Sequence, residues 1–424
     1  MTDQPDRDKL SRREFIRQGS TVVAGAAGLA ALGAPAILSA QNTASRINFG
    51  MIGTGSRGCE TLRAISGHEQ SIITDICDIY EPNLEEGKKY CGNPNVRTHK
   101  DWQKLIAQKD VDALIISTPL YLHVPMSCAG LGAGKHVFSE KSMGLDMKQI
   151  NQMLEAANAH PDLVYMVGYQ SRLNESLAMV KDLVAQGSFG KITQFYCHFD
   201  RNQTWRAEGL PPEWDRQLNW RLYKEYCGGL LTEVVTHEVD AILEILGTTP
   251  ASASFYGNVM VYKDGREHHD SIMGSWEMED GVIGVATAHL SNASRGSGWK
   301  LLGTHGTAES FGGRLKLYWE KQARHLDTVG IQHKFAHIQL GQSLHESEDP
   351  NETPAKVVDF EIDNDYTKST GREFLHFYDC ITNGKKPRMD AQSAWNPSVM
   401  AFMAYHSSME HGRRYTRDEV LAMG

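Results

Sequence analysis

The sequence lacks an excess of positive charge and lacks cysteines spaced as a pair. Its 424 residues include 43 Lys and Arg against 52 Asp and Glu, a formal net charge of −9. The chain as a whole therefore has no electrostatic attraction to nucleic acid, and we predict no nucleic-acid partner. No Cys-x-x-Cys pair occurs among the seven cysteines, which argues against a zinc ribbon or a thioredoxin-like site. Because seven is an odd number, the cysteines cannot all be paired within the chain.

The sequence also lacks the spacing of a catalytic metal site. No His-Glu-x-x-His motif occurs, although histidines are frequent in predicted hairpins, at His268, His269, His289 and His305. Adjacent residues of a strand point to opposite faces of a sheet, so His268 and His269 are not expected to bind one ion. We therefore predict no catalytic metal.

Long apolar runs are scarce, and the one at the N-terminus is only weakly apolar. Thr21 to Ala40 carries no charge and is rich in Ala and Gly, which is poorly suited to a stable membrane span. It follows the twin arginines Arg12 and Arg13, the mark of the bacterial Tat export route. We predict that residues 1–40 are a Tat signal peptide, that the chain is a partner of the Tat export machinery, and that it is periplasmic or otherwise extracytoplasmic. A lipid anchor or a retained tether stays open as the alternative.

What is present is an ordinary globular composition, with 41% hydrophobic and 22% charged residues. This excludes a mainly disordered, collagen-like or coiled-coil protein. A chain of this length folds into about two or three domains. Tat carries folded proteins, typically those that bind a cofactor before leaving the cytoplasm, so the leader itself predicts a cofactor.

Residues 41–170 are predicted to be an NAD-binding Rossmann domain, an α/β fold with a parallel sheet. A short apolar strand ends at Ile52, and a GxGxxG loop, Gly53–Gly58, leads from it into a helical pattern. Glycines let this loop turn tightly and approach a pyrophosphate at the helix N-terminus. The loop residues predicted to bind the cofactor are Gly53, Gly55, Ser56, Arg57 and Gly58.

A second strand ends at Asp78, twenty residues after Gly58. A carboxylate at this position bonds the adenosine ribose hydroxyls and repels a 2′-phosphate. The sequence therefore predicts NAD, with NADP less favoured, although Arg57 is close enough in sequence to offset part of that repulsion.

Two further strands are followed by polar residues that we expect at the same edge of the sheet. One strand runs into Thr118, Pro119 and His123, and the next delivers Glu140 and Lys141. The carboxyl ends of parallel strands meet at one edge, where α/β sheets bind their ligands. These five residues are therefore predicted to contact the cofactor.

These motifs resemble the Gfo/Idh/MocA oxidoreductases, named for glucose–fructose oxidoreductase and inositol dehydrogenase. The family's GxGxRG, T-P-x-x-x-H and E-K-P motifs are matched by the glycine loop with Arg57, by Thr118 to His123, and by Glu140-Lys141-Ser142. The resemblance covers essentially the whole mature chain and implies a catalytic role for Lys141. Ser142 replaces the family's proline, so we expect a less fixed backbone after Lys141.

Residues 171–424 are predicted to be an α+β substrate-binding domain with a large, mostly antiparallel open sheet and C-terminal helices. Residues 321–355 look polar and irregular, and Asp280-Gly281 predicts a hairpin turn. In the family such a sheet often forms a dimer face, so a homo-oligomer is expected. The predicted strands and helices are Lys191–Phe199, Ala253–Tyr262, Asp270–Glu277, Val282–Leu290, Trp299–Gly303, Thr370–Asn383 and Ala391–Met409.

A helix predicted over Gly228–Leu246 carries Glu233, His237 and Asp240 at i, i+4 and i+7, so they share one face. An acid one turn from an imidazole can orient it and raise its basicity. A solvated stripe is the alternative, but such stripes usually include Lys or Arg. The resemblance implies that His237 and Glu233, where the family has Asp, are catalytic partners of Lys141.

Other residues are predicted to contact the cofactor or the substrate. Gln170 and Arg172 lie in a segment that resembles the family's domain junction, where they would contact the nicotinamide or the substrate. An aromatic with nearby donors suits a sugar, against the alternative of a core Trp and surface Arg. The residues assigned to substrate are Arg172, Trp220, Arg221, Tyr223 and Asp240.

The sequence therefore predicts an exported NAD(P)-dependent oxidoreductase that acts on a hydroxyl of a sugar, a sugar derivative or a cyclitol. His237 would be the base, Lys141 would polarise the oxygen, and Glu233 would orient His237. No pool of free NAD recycles outside the cytoplasm, so the cofactor must stay bound and be regenerated in the site.

Two alternatives remain. One is an NAD-dependent glycosidase that works by oxidation, elimination, water addition and reduction. It needs an additional base, for which Tyr223 and Glu225 are candidates, but Val234 stands where exported glycosidase relatives carry a tyrosine. The other is a non-catalytic sugar-binding protein.

Overall fold

Two β-sheets organise the part of the chain that the structure describes. The structure is a computed structural model, and the residues it describes are 46–323, 342–347, 349, 351–362 and 366–424. The predicted signal peptide lies outside these residues, as does much of the predicted irregular segment.

The first sheet has six strands in the order β3-β2-β1-β4-β5-β6, and every neighbouring pair is parallel. Its strands read as short apolar runs because helices cover both faces. This confirms the predicted Rossmann architecture. The strands and helices are β1 Ile47–Ile52, α1 Ser56–Ile65, β2 Ser71–Cys77, α2 Glu81–Tyr90, β3 Arg97–His99, α3 Trp102–Ile106, β4 Ala113–Ile116, α4 His123–Gly132, β5 His136–Glu140, α5 Met147–Ala159 and β6 Tyr165–Gly168.

The second sheet has ten strands in the order β14-β15-β13-β12-β11-β7-β10-β9-β8-β16. β7 and β10 pair in parallel, and the other neighbours pair antiparallel. This confirms the predicted large, mostly antiparallel sheet. The strands are β7 Ile192–Asp200, β8 Pro250–Asn258, β9 Ser271–Met278, β10 Ile283–His289, β11 Ser297–Gly303, β12 Gly306–Phe311, β13 Arg314–Trp319, β14 Gln342–Glu346, β15 Lys356–Glu361 and β16 Tyr415–Thr416.

One strand lies where the sequence predicts irregular structure. Gln342–Glu346 forms β14 at the edge of the second sheet and pairs with β15. An edge strand needs a partner on one side only, so its polar sequence gives no apolar pattern to detect. The prediction of an irregular segment is therefore wrong for these five residues.

The helices of the C-terminal part fill the space around the second sheet. The predicted helix over Gly228–Leu246 is in fact a π-helical turn, Leu231–Val235, that continues into an α-helix from Thr236. These helices are α6 Glu175–Ala185, α7 Asp215–Leu218, α8 Thr236–Leu246, α9 Tyr366–Asn383, α10 Ala391–Met409 and α11 Arg417–Leu421.

Helix α9 returns to the first sheet. The Phe374 and Phe377 rings lie with centroids 5.2 and 6.3 Å from that of Phe49 in β1. Burial of these aromatic rings is a large apolar contribution to stability. The packing also brings Thr370 and Glu373 of α9 beside the glycine loop, which matters for Arg57 below.

All seven cysteines lie within the described residues, where six are buried and none forms a disulfide. They act as small apolar groups in the core. Among the helices that the structure describes, none combines the length and apolarity needed to cross a bilayer.

Candidate active site

A cavity of about 1010 Å³ extends from the carboxyl ends of the first sheet's strands to β7, β11 and β12 of the second sheet. Ligand sites typically occupy cavities of this order. One end, the nucleotide end, is lined by the glycine loop and Asp78. The other, the substrate end, is lined by His237 and by aromatic residues of the second sheet.

The glycine loop requires glycine at two positions. Gly53 has a φ of 92°, and a Cβ on it would lie 2.5 Å from the Ser117 carbonyl oxygen. A Cβ on Gly58 would lie 2.0 Å from the Gly53 carbonyl oxygen. Because neither glycine has a Cβ, the backbone of β1, the loop and α1 can approach this closely, as in a dinucleotide-binding turn.

The same loop leaves room for an anion at the start of α1. A Cβ on Gly55 would have no neighbour nearer than the Asn83 side-chain nitrogen, at 3.7 Å. Helix α1 begins at Ser56, and the first N–H groups of a helix have no partner inside it. Ser56 and Arg57 also line the cavity. The residues present therefore fit a dinucleotide with its pyrophosphate on this turn.

Asp78 is fixed at the end of β2 by backbone donors. Its Oδ2 accepts a hydrogen bond from the Thr54 N–H at 2.9 Å, and its Oδ1 accepts one from the Tyr80 N–H at 2.9 Å. It lines the nucleotide end of the cavity, where a ribose hydroxyl would donate to it.

Arg57 does not offset the repulsion between Asp78 and a 2′-phosphate, which the sequence had left open. Its Nε donates to Glu140 Oε1 at 2.6 Å, and Nη1 donates to the Thr370 hydroxyl at 2.9 Å. Nη2 lies 3.7 Å from the buried Glu373 carboxylate. Because Glu140 and Thr370 accept its hydrogen bonds, the guanidinium is held by the chain itself and is not aimed at a 2′-phosphate beside Asp78. This strengthens the preference for NAD.

Thr118, Pro119 and His123 line the cavity after β4. The His123 ring is buried, and its two nitrogens each lie 2.9 Å from a carbonyl oxygen, those of Ser142 and Thr118. His123 therefore ties the loops after β4 and β5 together, a positioning role in addition to any cofactor contact.

Lys141 lies at the junction of the two ends of the cavity. Its Nζ donates to the Glu233 carbonyl oxygen at 2.7 Å and lies 3.7 Å from Oε2 of the same residue. Ser142 is buried, and its hydroxyl donates to the Thr232 carbonyl at 2.9 Å. The expectation of a looser backbone after Lys141 is therefore wrong, because this side chain anchors the segment where the family has proline.

Gln170 also faces the cavity at this junction. It is buried, and its Oε1 accepts no hydrogen bond from any described residue. A buried amide oxygen without a partner is unusual in a folded protein and indicates a site for a ligand donor. This supports the predicted contact with the nicotinamide or the substrate.

The Glu233 carboxylate does not orient His237. It lies 3.2 Å from Arg221 Nε and 3.7 Å from Lys141 Nζ, and the structure shows no hydrogen bond between it and His237. The reason is the π-helical turn at Leu231–Val235, whose i to i+5 bonding changes the angular offset that an α-helix gives to i and i+4. Glu233 holds the two cations instead.

His237 lines the cavity in its neutral form. Burial, together with the positive charges of Lys141 and Arg57, lowers the pKa of His237 to about 3. The ring packs edge-on against Tyr169, with 6.3 Å between centroids. At pH 7 the imidazole is therefore unprotonated and able to accept a proton.

Two residues assigned to substrate binding are buried away from the cavity. Arg172 donates to Asp240 through Nε at 3.0 Å and through Nη2 at 2.6 Å. Asp240 is fully buried, and neither residue lines the cavity. The prediction that they contact substrate is wrong, because they form a buried ion pair that joins the segment after β6 to α8.

Tyr223 and Glu225 do not supply an additional base. The Tyr223 hydroxyl lies 3.3 Å from both Asp215 Oδ2 and Arg206 Nη2, and Glu225 pairs with Arg216 at 2.8 Å on the surface. Neither lines the cavity. The predictions for Tyr223 as a substrate contact and for both residues as bases are therefore wrong.

Trp220 and Arg221, which the sequence assigns to substrate, line the substrate end. The Arg221 guanidinium lies 4.2 Å from the Trp220 ring centroid, a cation–π contact. Its Nε donates to Glu233, so the pair links the cavity wall to the residue that holds Lys141.

Several residues of the substrate end have no clear signal in the sequence. Glu238 follows His237, and Trp205 has a φ of 64°, which is rare for a bulky side chain. The available signal is an acid beside a histidine on an otherwise apolar helix. The residues missed are Phe199, Arg201, Gln203, Trp205, Glu238, Trp299 and Phe311.

Among the described residues there is no group of three or more His, Cys, Asp or Glu side chains placed to hold a metal ion. His268 is buried and lies against Tyr405. His289 lies 3.1 Å from Asp200. Both histidines therefore contact other side chains of the protein.

Comparison with protein families gives two matches along the chain. Residues 47–169 match the model described as "Oxidoreductase family, NAD-binding Rossmann fold". Residues 177–309 match the GFO/IDH/MocA C-terminal domain. Together they cover more than half of the chain, and the first confirms the predicted NAD-binding fold.

Curated relatives and solved structures agree with this assignment. A 2,7-anhydro-N-acetylneuraminate hydratase of Escherichia coli is 28% identical over 216 residues, 51% of this chain and 54% of that protein. A glycosyl hydrolase family 109 protein of Shewanella amazonensis is 28% identical over 213 residues, 48% of this chain and 45% of that protein. The chain thus spans about half the length of these relatives.

Among solved structures, the WlbA dehydrogenase of Bordetella pertussis, in complex with NADH and UDP-GlcNAcA, superposes with a TM-score of 0.70 and 20% identity. The match covers 88% of this chain and 98% of that one. At this identity the likeness establishes the fold.

Proposed function

Because the chain belongs to the GFO/IDH/MocA oxidoreductase family, we propose that it oxidises a hydroxyl of a sugar, a sugar derivative or a cyclitol with NAD. The observation that carries this proposal is that Lys141 and a neutral His237 line the same cavity and that the Lys141 charge acts on the His237 ring. A cation and a proton acceptor in one site are what alcohol oxidation requires.

The nicotinamide, when bound, supplies the hydride acceptor. His237 accepts the proton of the reacting hydroxyl because its imidazole is neutral at pH 7. Lys141 has three N–H donors, one of which goes to the Glu233 carbonyl. The others are available to the substrate oxygen as it becomes an alkoxide. Glu233, held by Arg221, keeps the ammonium in place.

The lining of the substrate end supports a carbohydrate. Aromatic rings stack on the C–H faces of sugars, while guanidinium and amide groups bond the hydroxyls. The substrate end offers both kinds of group, in Phe199, Trp205, Trp220, Trp299 and Phe311 with Arg201 and Gln203.

The direct test is an absorbance spectrum of the full-length protein as purified, followed by addition of single sugars and cyclitols. We expect bound nucleotide, and a band near ~340 nm that rises when a substrate reduces the nicotinamide. Protein with no nucleotide, and no spectral change with any sugar after loading with NAD, would refute the proposal. The same panel with His237→Ala tests the alternative of a non-catalytic sugar-binding protein. Under that alternative the absorbance of the variant and of the parent should respond to the sugars in the same way.

We also propose export by the Tat machinery to the periplasm or another extracytoplasmic location, with the cofactor bound before export and regenerated within the site. Twin arginines Arg12 and Arg13 before the uncharged run support this proposal. Replacing both arginines by lysine should leave the protein in the cytoplasmic fraction. Equal amounts of parent and variant in the periplasm would contradict it.

A second candidate function is NAD-dependent cleavage of a C–O bond, by oxidation, elimination, water addition and reduction. It is favoured by the relatives named as a hydratase and as a glycosyl hydrolase family 109 protein. Release of an aglycone without net reduction of NAD would distinguish it from simple oxidation.

We further propose a homo-oligomer formed through the second sheet. Tyr256 and Met273 are register partners on β8 and β9 and are 61% and 58% exposed, and Ile283 on β10 is 50% exposed. Exposed apolar groups on neighbouring strands are typical of an interface. Met273→Lys should shift the sedimentation coefficient toward the monomer, whereas an unchanged value would contradict this interface.

A further inference from the structure

Glu238 is a buried carboxyl group at the wall of the cavity, and one of its two oxygens has no hydrogen-bond donor among the described residues. It follows His237 on α8, is 9% exposed, and lines the substrate end. Its Oε2 is buried and accepts no hydrogen bond from any described residue. Buried carboxylates in proteins are almost always paired or bonded, so this one calls for an explanation.

Neither of the two cations near Glu238, Lys141 and Arg201, forms a hydrogen bond with it. Lys141 Nζ donates to the Glu233 carbonyl. Arg201 Nη1 donates to the Asp200 carbonyl at 3.0 Å, while its Nη2 lies 3.4 Å from the Ser297 hydroxyl. Both cations act on Glu238 through space without a hydrogen bond to it.

Other titratable groups around Glu238 do not supply a counter-charge. The Cys197 thiol of β7 is fully buried, and burial, with the Glu238 charge, raises its pKa well above its usual value. Burial raises the pKa of Glu238 itself to about 8, against smaller lowering effects of its own backbone, Arg201 and Lys141. The carboxyl therefore carries its proton at pH 7.

His237 and Glu238 are neighbours on one helix with opposite protonation. Burial keeps His237 unprotonated and Glu238 protonated at pH 7. Two titratable groups whose surroundings drive their pKa values apart are the pattern of a base and an acid. Consecutive helical residues lie about 100° apart around the axis, so the two side chains reach the cavity at different points.

We propose that Glu238 is the acid that protonates an oxygen leaving the sugar, so that the enzyme cleaves a C–O bond at the carbon β to the one it oxidises. The inference rests on the proposed oxidation at the same site. NAD-dependent cleavage of a C–O bond, the second candidate function, needs a group in the cavity that can donate a proton to the leaving oxygen. Glu238 is such a group.

The reaction begins with oxidation of the hydroxyl to a ketone, and the hydroxyl proton passes through His237 to solvent. The ketone acidifies the adjacent C–H, and the neutral His237 takes this second proton. The C–H electron pair forms a C=C bond while the C–O pair leaves with the oxygen, which takes the proton of Glu238. Water then adds to the double bond, giving its proton to the Glu238 carboxylate and its hydroxyl to the β carbon. The His237 proton returns to the α carbon, the hydride returns to the ketone carbon, and the ketone oxygen regains a proton from solvent through His237, so the net reaction is hydrolysis.

The test compares Glu238→Gln with the parent, using full-length protein loaded with NAD and the sugar that reduces the nicotinamide. The probes are the methyl glycoside and the 4-nitrophenyl glycoside of that sugar. Methoxide needs a proton to leave, whereas nitrophenolate spreads its charge over the ring. We therefore expect methyl glycoside cleavage to fall about 100-fold or more, the usual contribution of a general acid. In a single turnover, nitrophenolate release and nicotinamide reduction should change by no more than about threefold, since neither step needs a proton from Glu238.

A pH profile gives a second readout that a purely structural role would not move. Methyl glycoside cleavage by the parent should decline as pH rises through about 8, where Glu238 loses its proton. The residual activity of Glu238→Gln should lack this decline. Glu238→Asp keeps a carboxyl and should retain methyl glycoside cleavage above the level of the glutamine variant, which keeps the test valid if that variant misfolds.

The matched control is Glu244→Gln, which removes a carboxylate from the same helix outside the cavity, where it pairs with Lys181 and lies 3.4 Å from Arg172. It should behave as the parent. Equal losses for both glycosides and for oxidation in Glu238→Gln would overturn the inference. A parent that oxidises the sugar but cleaves neither glycoside would overturn the inference alone. A parent that oxidises no sugar would overturn the proposed function as well.

Discussion

The two ends of the cavity hold their carboxyl groups in opposite ways. At the nucleotide end, Asp78 accepts hydrogen bonds from the backbone of Thr54 and Tyr80, which lie in the turns after β1 and β2. At the substrate end, Glu238 is buried and its Oε2 has no donor among the described residues. The first carboxylate is stabilised in its charged form before any ligand binds, while the second is stabilised in its neutral form.

This difference indicates that the two ends have different functions. The nucleotide end recognises a constant group, and backbone donors fix Asp78 there before any ligand binds. The substrate end carries groups with open hydrogen-bonding capacity, His237, Glu238 and Gln170, which a ligand can satisfy. Chemistry is therefore expected where polar groups are left unpaired, and recognition alone where they are paired.

The largest effect is expected from removing the proton acceptor of the substrate end, His237. His237→Asn keeps a polar side chain but removes the proton acceptor, so turnover should fall by about 1,000-fold, within the range for general base catalysis. Binding of NAD should stay within about twofold, because His237 belongs to the other end of the cavity. Steady-state kinetics and calorimetric titration with NAD measure the two. A parallel loss of NAD affinity would show that the ends are not separable.

The next effect is on stability, from the ion pair that supports α8 beneath the substrate end. Asp240→Asn leaves Arg172 buried without its bidentate partner. The free energy of unfolding should fall by about 3–5 kcal/mol, as for other broken buried ion pairs. Denaturant titration measures this change, and KM for the sugar should not change, because neither residue lines the cavity. A rise in KM with unchanged stability would restore the substrate-binding role that the sequence suggested.

A smaller effect is expected from breaking the nucleotide end. Asp78→Asn removes a charge-assisted hydrogen bond to the ribose. The affinity of the protein for NAD should therefore fall about tenfold, and its preference for NAD over NADP should become smaller. The rate at saturating NAD should be unchanged, since the substrate end is intact. Isothermal titration with each nucleotide measures the preference, and an NADP-specific parent would refute the assignment.

The last prediction sharpens the comparison through pH. Glu238 binds its proton more tightly in the folded chain, with a pKa of about 8 against an ordinary 4.5. The folded state therefore holds more protons between these values, and its stability from this group declines as pH rises through that window. The decline is at most about 1.4 kcal/mol for each pH unit. Thermal unfolding of Glu238→Gln at pH 5 and pH 8 should show a smaller difference than the parent, whereas identical differences would contradict the neutral carboxyl.

The nucleotide end was predictable because its signal is local. Gly53, Gly58 and Asp78 lie within a span of 26 residues, and the spacing of strand, turn and helix places them together in any chain that folds this way. The sheet registers at the Asp280-Gly281 turn followed from equally local chemistry, since Gly281 supplies the φ of 84° that the turn needs.

The substrate end was predictable only in part. His237 and Lys141 were identified from motifs, but helical periodicity paired Glu233 with His237 and missed the π-helical turn between them. Periodicity also placed Asp240 toward substrate, whereas its partner Arg172 is 68 residues away in the chain. Burial and long-range partners decide the state of a carboxyl group, and neither can be read from neighbours in sequence.

The sequence by itself determined the two-sheet architecture, the dinucleotide turn and the preference for NAD, because glycine conformation, strand periodicity and one acid after β2 are local properties. Only the tertiary structure decided which acids are paired, which face the cavity and which carry a proton. The physical reason is that desolvation and charge pairing depend on what the whole fold packs around a group. Asp240 and Glu238, two residues apart on one helix, differ because only one of them meets an arginine at bonding distance.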